Sequence, residues 1–195
     1  MRPAKNIVLA SSSPYRRELL QRIGLEFDTD RPDIDETAAA GESPPDLVRR
    51  LAQEKAAAVA PRHPNALIIG SDQVADHDGV IVGKPANHQD AVNQLRQASG
   101  RTVTLYTGLA LLDARSGRVQ SAVEPFSVVF RELDDDLIER YLRAEEPYNC
   151  CGSLRAEGAG ISLLKALRGD DPNALIGLPL IRLCEMLKQE NVELF

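Results

Sequence analysis

Cysteine is scarce in this 195-residue chain, and the three present exclude more than they offer. Cys150 and Cys151 are adjacent, Cys184 is remote, and the count is odd, so there is neither a disulfide framework nor metal-ligand spacing. They read as structural thiols of a protein in a reducing compartment. His63, His77 and His88 are also without metal-ligand spacing and receive no role. No apolar run is long enough to span a membrane, so no membrane partner is expected. Arg2 and Lys5 precede an apolar run too short for a signal peptide, which leaves a cytoplasmic protein as the expectation. A basic surplus is missing as well. Lys and Arg number 23 against 29 Asp and Glu, a net charge of −6, which argues against a nucleic-acid partner. Any polyanion bound here should be small and met by a local cluster of cations. The GxxxxGK[ST] and GxGxxG fingerprints are both absent.

What remains is an ordinary globular composition, 43% hydrophobic and 27% charged, on a chain long enough for a real core. No internal repeat, linker or low-complexity stretch divides it, so residues 1–195 read as a single domain. Strand and helix patterns alternate. Ile7–Ala10 and Ala66–Gly70 read as short buried strands. Asp76–Gly79 has hairpin-turn chemistry between Val74-Ala75 and Val80–Val82. Thr102–Leu112, Val119–Val123, Phe126–Phe130 and Ile161–Leu164 complete the expected strands. Helices are expected over 14–23, 46–60, from the Asn87 cap to 98, 134–144 and 179–189. Phe27–Ala40 has no clear period. The pattern predicts an α/β fold, a twisted mixed β-sheet flanked by helices, with ligands in a cleft at strand ends or between two lobes.

The opening segment carries the first chemical signal. Ile7–Ala10 ends in Ser11-Ser12-Ser13, then Pro14-Tyr15-Arg16-Arg17. Serine before proline is ordinary helix-start chemistry. Two cations in the first turn oppose the helix dipole, unless an anion is bound there. Serine hydroxyls, free N–H groups and guanidiniums together suit a phosphate.

Further candidates follow along the chain. Asp72 comes after Leu67–Ile69 across Gly70 and Ser71; a carboxylate at a buried strand end could bind a divalent cation or take a proton from water. Lys84, in Gly83-Lys84-Pro85, is a plausible phosphate contact. Lys55 shares the helical stripe of Val48, Leu51, Ala52 and Val59, where a lysine either snorkels out or points into a polar cleft. Of the acidic cluster Asp33, Asp35 and Glu36, we favour Glu36 as a metal carboxylate beside a triphosphate. Ser11 to Ser13 have no His/Asp arrangement for covalent catalysis.

Taken together, Ala10–Arg17, Asp35-Glu36-Thr37, Ala52-Gln53-Glu54-Lys55-Ala56, Ile69–Val74 and Gly83-Lys84-Pro85 resemble the Maf family of nucleotide pyrophosphatases, in order and spacing as far as Pro179. The resemblance implies an inosine-triphosphatase-like (Maf/Ham1) fold and a cytoplasmic homodimer. It implies hydrolysis of a nucleoside triphosphate to monophosphate and pyrophosphate with Mg²⁺ or Mn²⁺, in house-cleaning of modified nucleotides. It assigns Asp72 as proton acceptor and Ser11, Arg16, Glu36, Lys55 and Lys84 as the polar shell. Glu36 and Asp72 would hold the metal.

Within the family, members acting on dTTP and UTP typically carry arginine, threonine and glutamine where this chain has Tyr15, Gln73 and Glu157. The pattern here is similar to the branch preferring 7-methyl-GTP, in which tryptophan is common at the Tyr15 position. Gly152–Gly158, Gly169–Asn173 and Gly177-Leu178-Pro179 also fit that branch. The physics agrees. A cationic methylated base is drawn to the Tyr15 face by roughly 0.5–2 kcal/mol. Glu157 can accept from the guanine N1–H and amino group, and Gln73 can donate or accept. The alternatives are a dTTP/UTP pyrophosphatase and a nucleotide-binding regulator of septum formation.

Overall fold

The computed structural model describes residues 6–194; Arg2 and Lys5 lie outside them. One sheet of seven strands organises the chain, in the order β2-β1-β3-β5-β6-β7, with β4 also paired to β3. The strands are β1 (Ile7–Ala10), β2 (Asp28–Asp30), β3 (Leu67–His77), β4 (Val80–Val82), β5 (Thr102–Asp113), β6 (Arg118–Phe130) and β7 (Leu164–Arg168). β1 runs parallel to β2 and β3, and every other pairing is antiparallel. The helices are α1 (Pro14–Arg22), α2 (Pro44–Val59), α3 (His88–Ala98), α4 (Asp135–Glu145), α5 (Pro172–Ile176) and α6 (Leu180–Gln189). Mixed sheet and flanking helices match the expectation.

Local chemistry sets the helix starts. Ser13, Ser43, Asn87 and Asp134 each accept a backbone N–H of the first turn, and prolines begin α1 and α2. Asp171 serves two helices: it accepts from Asn173 N at 2.9 Å in α5 and from Ile181 N at 2.8 Å in α6.

Four departures from the sequence reading have physical causes. β3 does not stop at Gly70 but runs on to His77, because β5 pairs with it from Leu67 to Asp76. β6 passes unbroken through Glu124-Pro125; β7 reaches only Ser127–Phe130, so Pro125 lies where that side carries no ladder. Ala159–Leu163 forms a 3₁₀ segment, and strand β7 begins only at Leu164; Gly160 N turns back onto Arg155 O at 3.1 Å. β2 consists of Asp-Thr-Asp, with no apolar alternation to reveal it, and the five-residue α5 was not anticipated.

The apolar interior falls into clusters. One packs α3 and α4 on the far ends of β5 and β6. Another packs α1 and α6 on β1, β3 and β5. Two more lie under α2. Each fully buried Leu or Ile contributes about 1.5–3 kcal/mol.

α2 makes the closest approach to the sheet. A Cβ on Gly70 would stand 2.0 Å from Ala52 O, and one on Gly108 would stand 2.0 Å from Val48 O. Only glycine fits at either place.

Candidate active site

The ladder on β3 has a gap. β1 pairs with it only as far as Ala10 opposite Gly70, and β4 joins only at Ala75. Between them, Ser71–Val74 pair on one side alone, with β5. A cleft of about 760 Å³ opens there. Its walls draw on several apolar clusters, through Ala10, Leu51 and Leu154.

All nine residues singled out from the sequence line this cleft. Asp72 sits within β3, not at its end, and opposite Gly108. The two glycines flanking it let α2 close in, which brings Lys55 onto the same face. Lys55 Nζ donates to Asp72 Oδ1 at 2.6 Å and pairs with Glu36 Oε1 at 2.9 Å. Lys55 and Asp72 are buried, while Glu36 reaches in from an exposed loop. Lys55 therefore does not snorkel; it joins two carboxylates. Of the neighbouring acids, Asp33 also lines the cleft, whereas Asp35 accepts from Thr37 N at 2.9 Å in a local turn.

Arg16 enters from the first turn of α1. Its Nε donates to Gly177 O at 2.8 Å and its Nη1 to Ser11 Oγ at 3.4 Å. A backbone carbonyl thus absorbs part of the charge that looked misplaced at a helix start. Arg17 is exposed and is not part of the lining. Lys84 is exposed on the wall beyond the β3–β4 hairpin and pairs with no carboxylate among the described residues.

Gln73 is more constrained than its side chain requires. Its Nε2 donates to Ala174 O at 2.7 Å, Thr107 Oγ1 at 3.0 Å and Leu175 O at 3.1 Å. Two of these partners are pure acceptors, which fixes the amide orientation. The expected choice between donor and acceptor is settled: the donors hold α5, and only the carbonyl oxygen is left. Ser71 Oγ on Gly177 O at 3.0 Å and Thr107 Oγ1 on Ala174 O at 2.8 Å complete the attachment. Leu175 and Ile176, so held, form part of the wall.

Tyr15 and Glu157 line the cleft from opposite parts of the chain. The Tyr15 hydroxyl is approached by Cys150 Sγ at 3.8 Å. Burial first, then the Cys150 contact, pushes this phenol up to about 12. Cys151 Sγ donates to Gln73 O at 3.1 Å, and burial raises its thiol to about 11, so it is an inert structural group. Sequence reasoning missed Ser71 and Thr107 as struts, and it missed Arg155 beside Tyr15 and Glu157. The hydroxyls carry no pattern of their own in the sequence. Arg155 was visible only as a letter inside the Gly152–Gly158 motif.

The donor set bears on a metal. Two carboxylates, Glu36 and Asp72, converge on one cationic group, and their ligands are hard oxygens. Among the described residues no group of three or more His, Cys, Asp or Glu could hold an ion alone. Glu36 and Asp72 could together hold Mg²⁺ or Mn²⁺, which binds through one or two carboxylates and shares the phosphates of a substrate.

Comparison with known proteins finds several similar chains. A chain named 7-methyl-GTP pyrophosphatase from Pseudomonas aeruginosa is 56% identical over 97% of this chain and 98% of its own. Chains of the same name from Nitrosococcus oceani and a Polaromonas species are 57% and 53% identical, over 94% and 98% of this chain and 92% and 88% of theirs. Among solved structures, the Staphylococcus aureus Ham1 protein matches at 15% identity and a TM-score of 0.48, over 66% of this chain and 73% of that one. The family model described as Maf-like protein matches residues 6–190, nearly the full length, and the chain belongs to the Maf family.

Proposed function

We propose that this protein is a nucleoside-triphosphate pyrophosphatase that hydrolyses 7-methyl-GTP to 7-methyl-GMP and pyrophosphate, clearing a modified nucleotide. The observation that carries the reading is the meeting, in one cleft, of the Asp72–Lys55–Glu36 cluster with Tyr15 and Glu157. The three relatives above bear that name at 53–57% identity.

In this reading Lys55 fixes Asp72 through Oδ1, and the second carboxylate oxygen takes the proton of an attacking water. The water oxygen bonds to the α-phosphorus as the bond to the bridging oxygen breaks, and pyrophosphate leaves. Arg16, Lys84 and Ser11 face the phosphates, where negative charge builds in the transition state. Glu36 and Asp72 would hold Mg²⁺ or Mn²⁺, which when bound supplies Lewis acidity at the phosphate oxygens. The Tyr15 ring meets the methylated base, and Glu157 accepts from its N1–H and amino group. Gln73 shapes the wall through α5 and offers its carbonyl oxygen.

Pyrophosphate release across 7-methyl-GTP, GTP, dTTP and UTP, with Mg²⁺ or Mn²⁺ present, tests the reading. Preference for the methylated nucleotide is the expected result; preference for pyrimidines, or binding with negligible hydrolysis, overturns it. A homodimer belongs to the same proposal, and sedimentation of the purified chain measures it. So does a cytoplasmic location; no helix among the described residues is long and apolar enough to cross a membrane, and all three cysteines are free.

A further inference from the structure

Arg155 lies at the junction of the two side chains assigned to the base, and it has no part in the phosphate chemistry. Its guanidinium carbon stands 5.7 Å from the centroid of the Tyr15 ring. Its Nε lies 3.5 Å from Glu157 Oε1, buried and without a full hydrogen bond. Its Nη1 donates to Glu145 Oε1 at 2.6 Å. The backbone is anchored too: Arg155 N donates to the Tyr141 hydroxyl at 2.9 Å, and that hydroxyl donates to Ser153 O at 3.2 Å. Glu145 is held in turn, since its Oε2 accepts from Ala159 N at 2.7 Å.

Three charges meet here, two negative and one positive. The shorter, better formed pair is Arg155 with Glu145, which sits at the end of α4, away from the cleft lining. The longer contact is with Glu157, which does line the cleft. The surplus negative charge therefore rests with Glu157. We propose that Arg155 is a positioning residue for base selection: its flat guanidinium fixes the Tyr15 ring and the Glu157 carboxylate relative to each other, while Glu145 satisfies its charge and leaves Glu157 to meet a cationic base. The inference rests on the reading of this cleft as a 7-methyl-GTP site. An aliphatic residue at 155 would leave both partners in place but free to turn. A lysine would keep the charge and lose the flat face.

The test is steady-state pyrophosphate release from 7-methyl-GTP and GTP by the wild type and by Arg155→Ala, Arg155→Lys and Glu145→Gln. Arg155→Ala should raise KM for 7-methyl-GTP about tenfold, with kcat and the KM for GTP within about twofold. Arg155→Lys should recover part of the loss. Glu145→Gln should also raise KM for 7-methyl-GTP selectively, because Arg155 then turns to Glu157 and cancels its charge. Equal changes on both nucleotides, or no change in either, overturn the inference while the wild-type preference stands. Arg155→Lys keeps the test decisive should the alanine variant fold poorly. A wild type that releases no pyrophosphate from 7-methyl-GTP overturns the reading of the site, and this inference with it.

Discussion

Lys55 Nζ touches two carboxylates, and the burial of the partners differs. The Lys55 and Asp72 side chains are 7% and 9% exposed, that of Glu36 56%. Removing Glu36 returns an exposed group to water, whereas removing Lys55 leaves Asp72 buried beside no ammonium. Lys55→Ala should therefore cost about 3 kcal/mol in urea unfolding, and Glu36→Ala less than about 1 kcal/mol. Asp72→Asn keeps the shape of the side chain and loses its capacity to take a proton. It should lower kcat by at least about a hundredfold while leaving the far-ultraviolet circular dichroism unchanged. Full turnover in that variant would remove Asp72 from the reaction.

α2 reaches the sheet at two glycines, and the height of the helix sets where Lys55 lies. Gly108→Ala would place a methyl 2.0 Å from Val48 O, a backbone atom that cannot turn away. The helix must lift. The variant should lose about 1–3 kcal/mol in urea unfolding and a larger share of kcat than of KM, since Lys55 moves with the helix. An alanine that matches the wild type in both would show that the contact is slack.

The sequence disclosed much at this level, and the reasons are particular. The stripe of Val48, Leu51, Ala52 and Val59 with Lys55 upon it marked a helix but left the lysine two places, the surface or a cleft, and only the packing of α2 on the sheet decides between them. The serine–proline start of α1 was plain from capping chemistry. By contrast, the continuity of β3 past Gly70 depends on β5, some thirty residues later, and no local pattern encodes it. The attachment of α5 depends on Gln73 and Thr107, which are about 100 and 67 residues away in the chain. Asp72 was therefore recognised as a candidate but given the wrong setting, at a strand end instead of opposite a gap in the ladder.

Two acidic groups held by basic partners bear on the acid stability of the protein. Asp30 accepts from Arg62 Nε at 2.7 Å and contacts His63 Nε2 at 2.9 Å, and these partners lower its carboxyl to about 2. Glu42, held by Arg50 and by Ala39 N, is also lowered to about 2. In both, the folded chain releases the proton more readily than the unfolded one. Their contribution is thus present above the ordinary carboxylate range near pH 4 and is lost as pH falls toward 2. The melting temperature should fall steeply between pH 4 and 2. Asp30→Asn should soften that fall, and added salt should weaken the effect because both sites are partly open to solvent.

The gap in the β3 ladder also has a kinetic consequence. β5 and β6 pair across a short turn over twelve consecutive positions and so close on themselves early. The cleft instead needs β1 seated between β2 and β3, residues 149–157 folded back toward Tyr15, and α5 attached to Gln73. The last two of these join parts of the chain 135 and 101 residues apart. In refolding from urea, most circular dichroism should return before pyrophosphatase activity does, and the lag between them is the time the chain takes to close its own cleft.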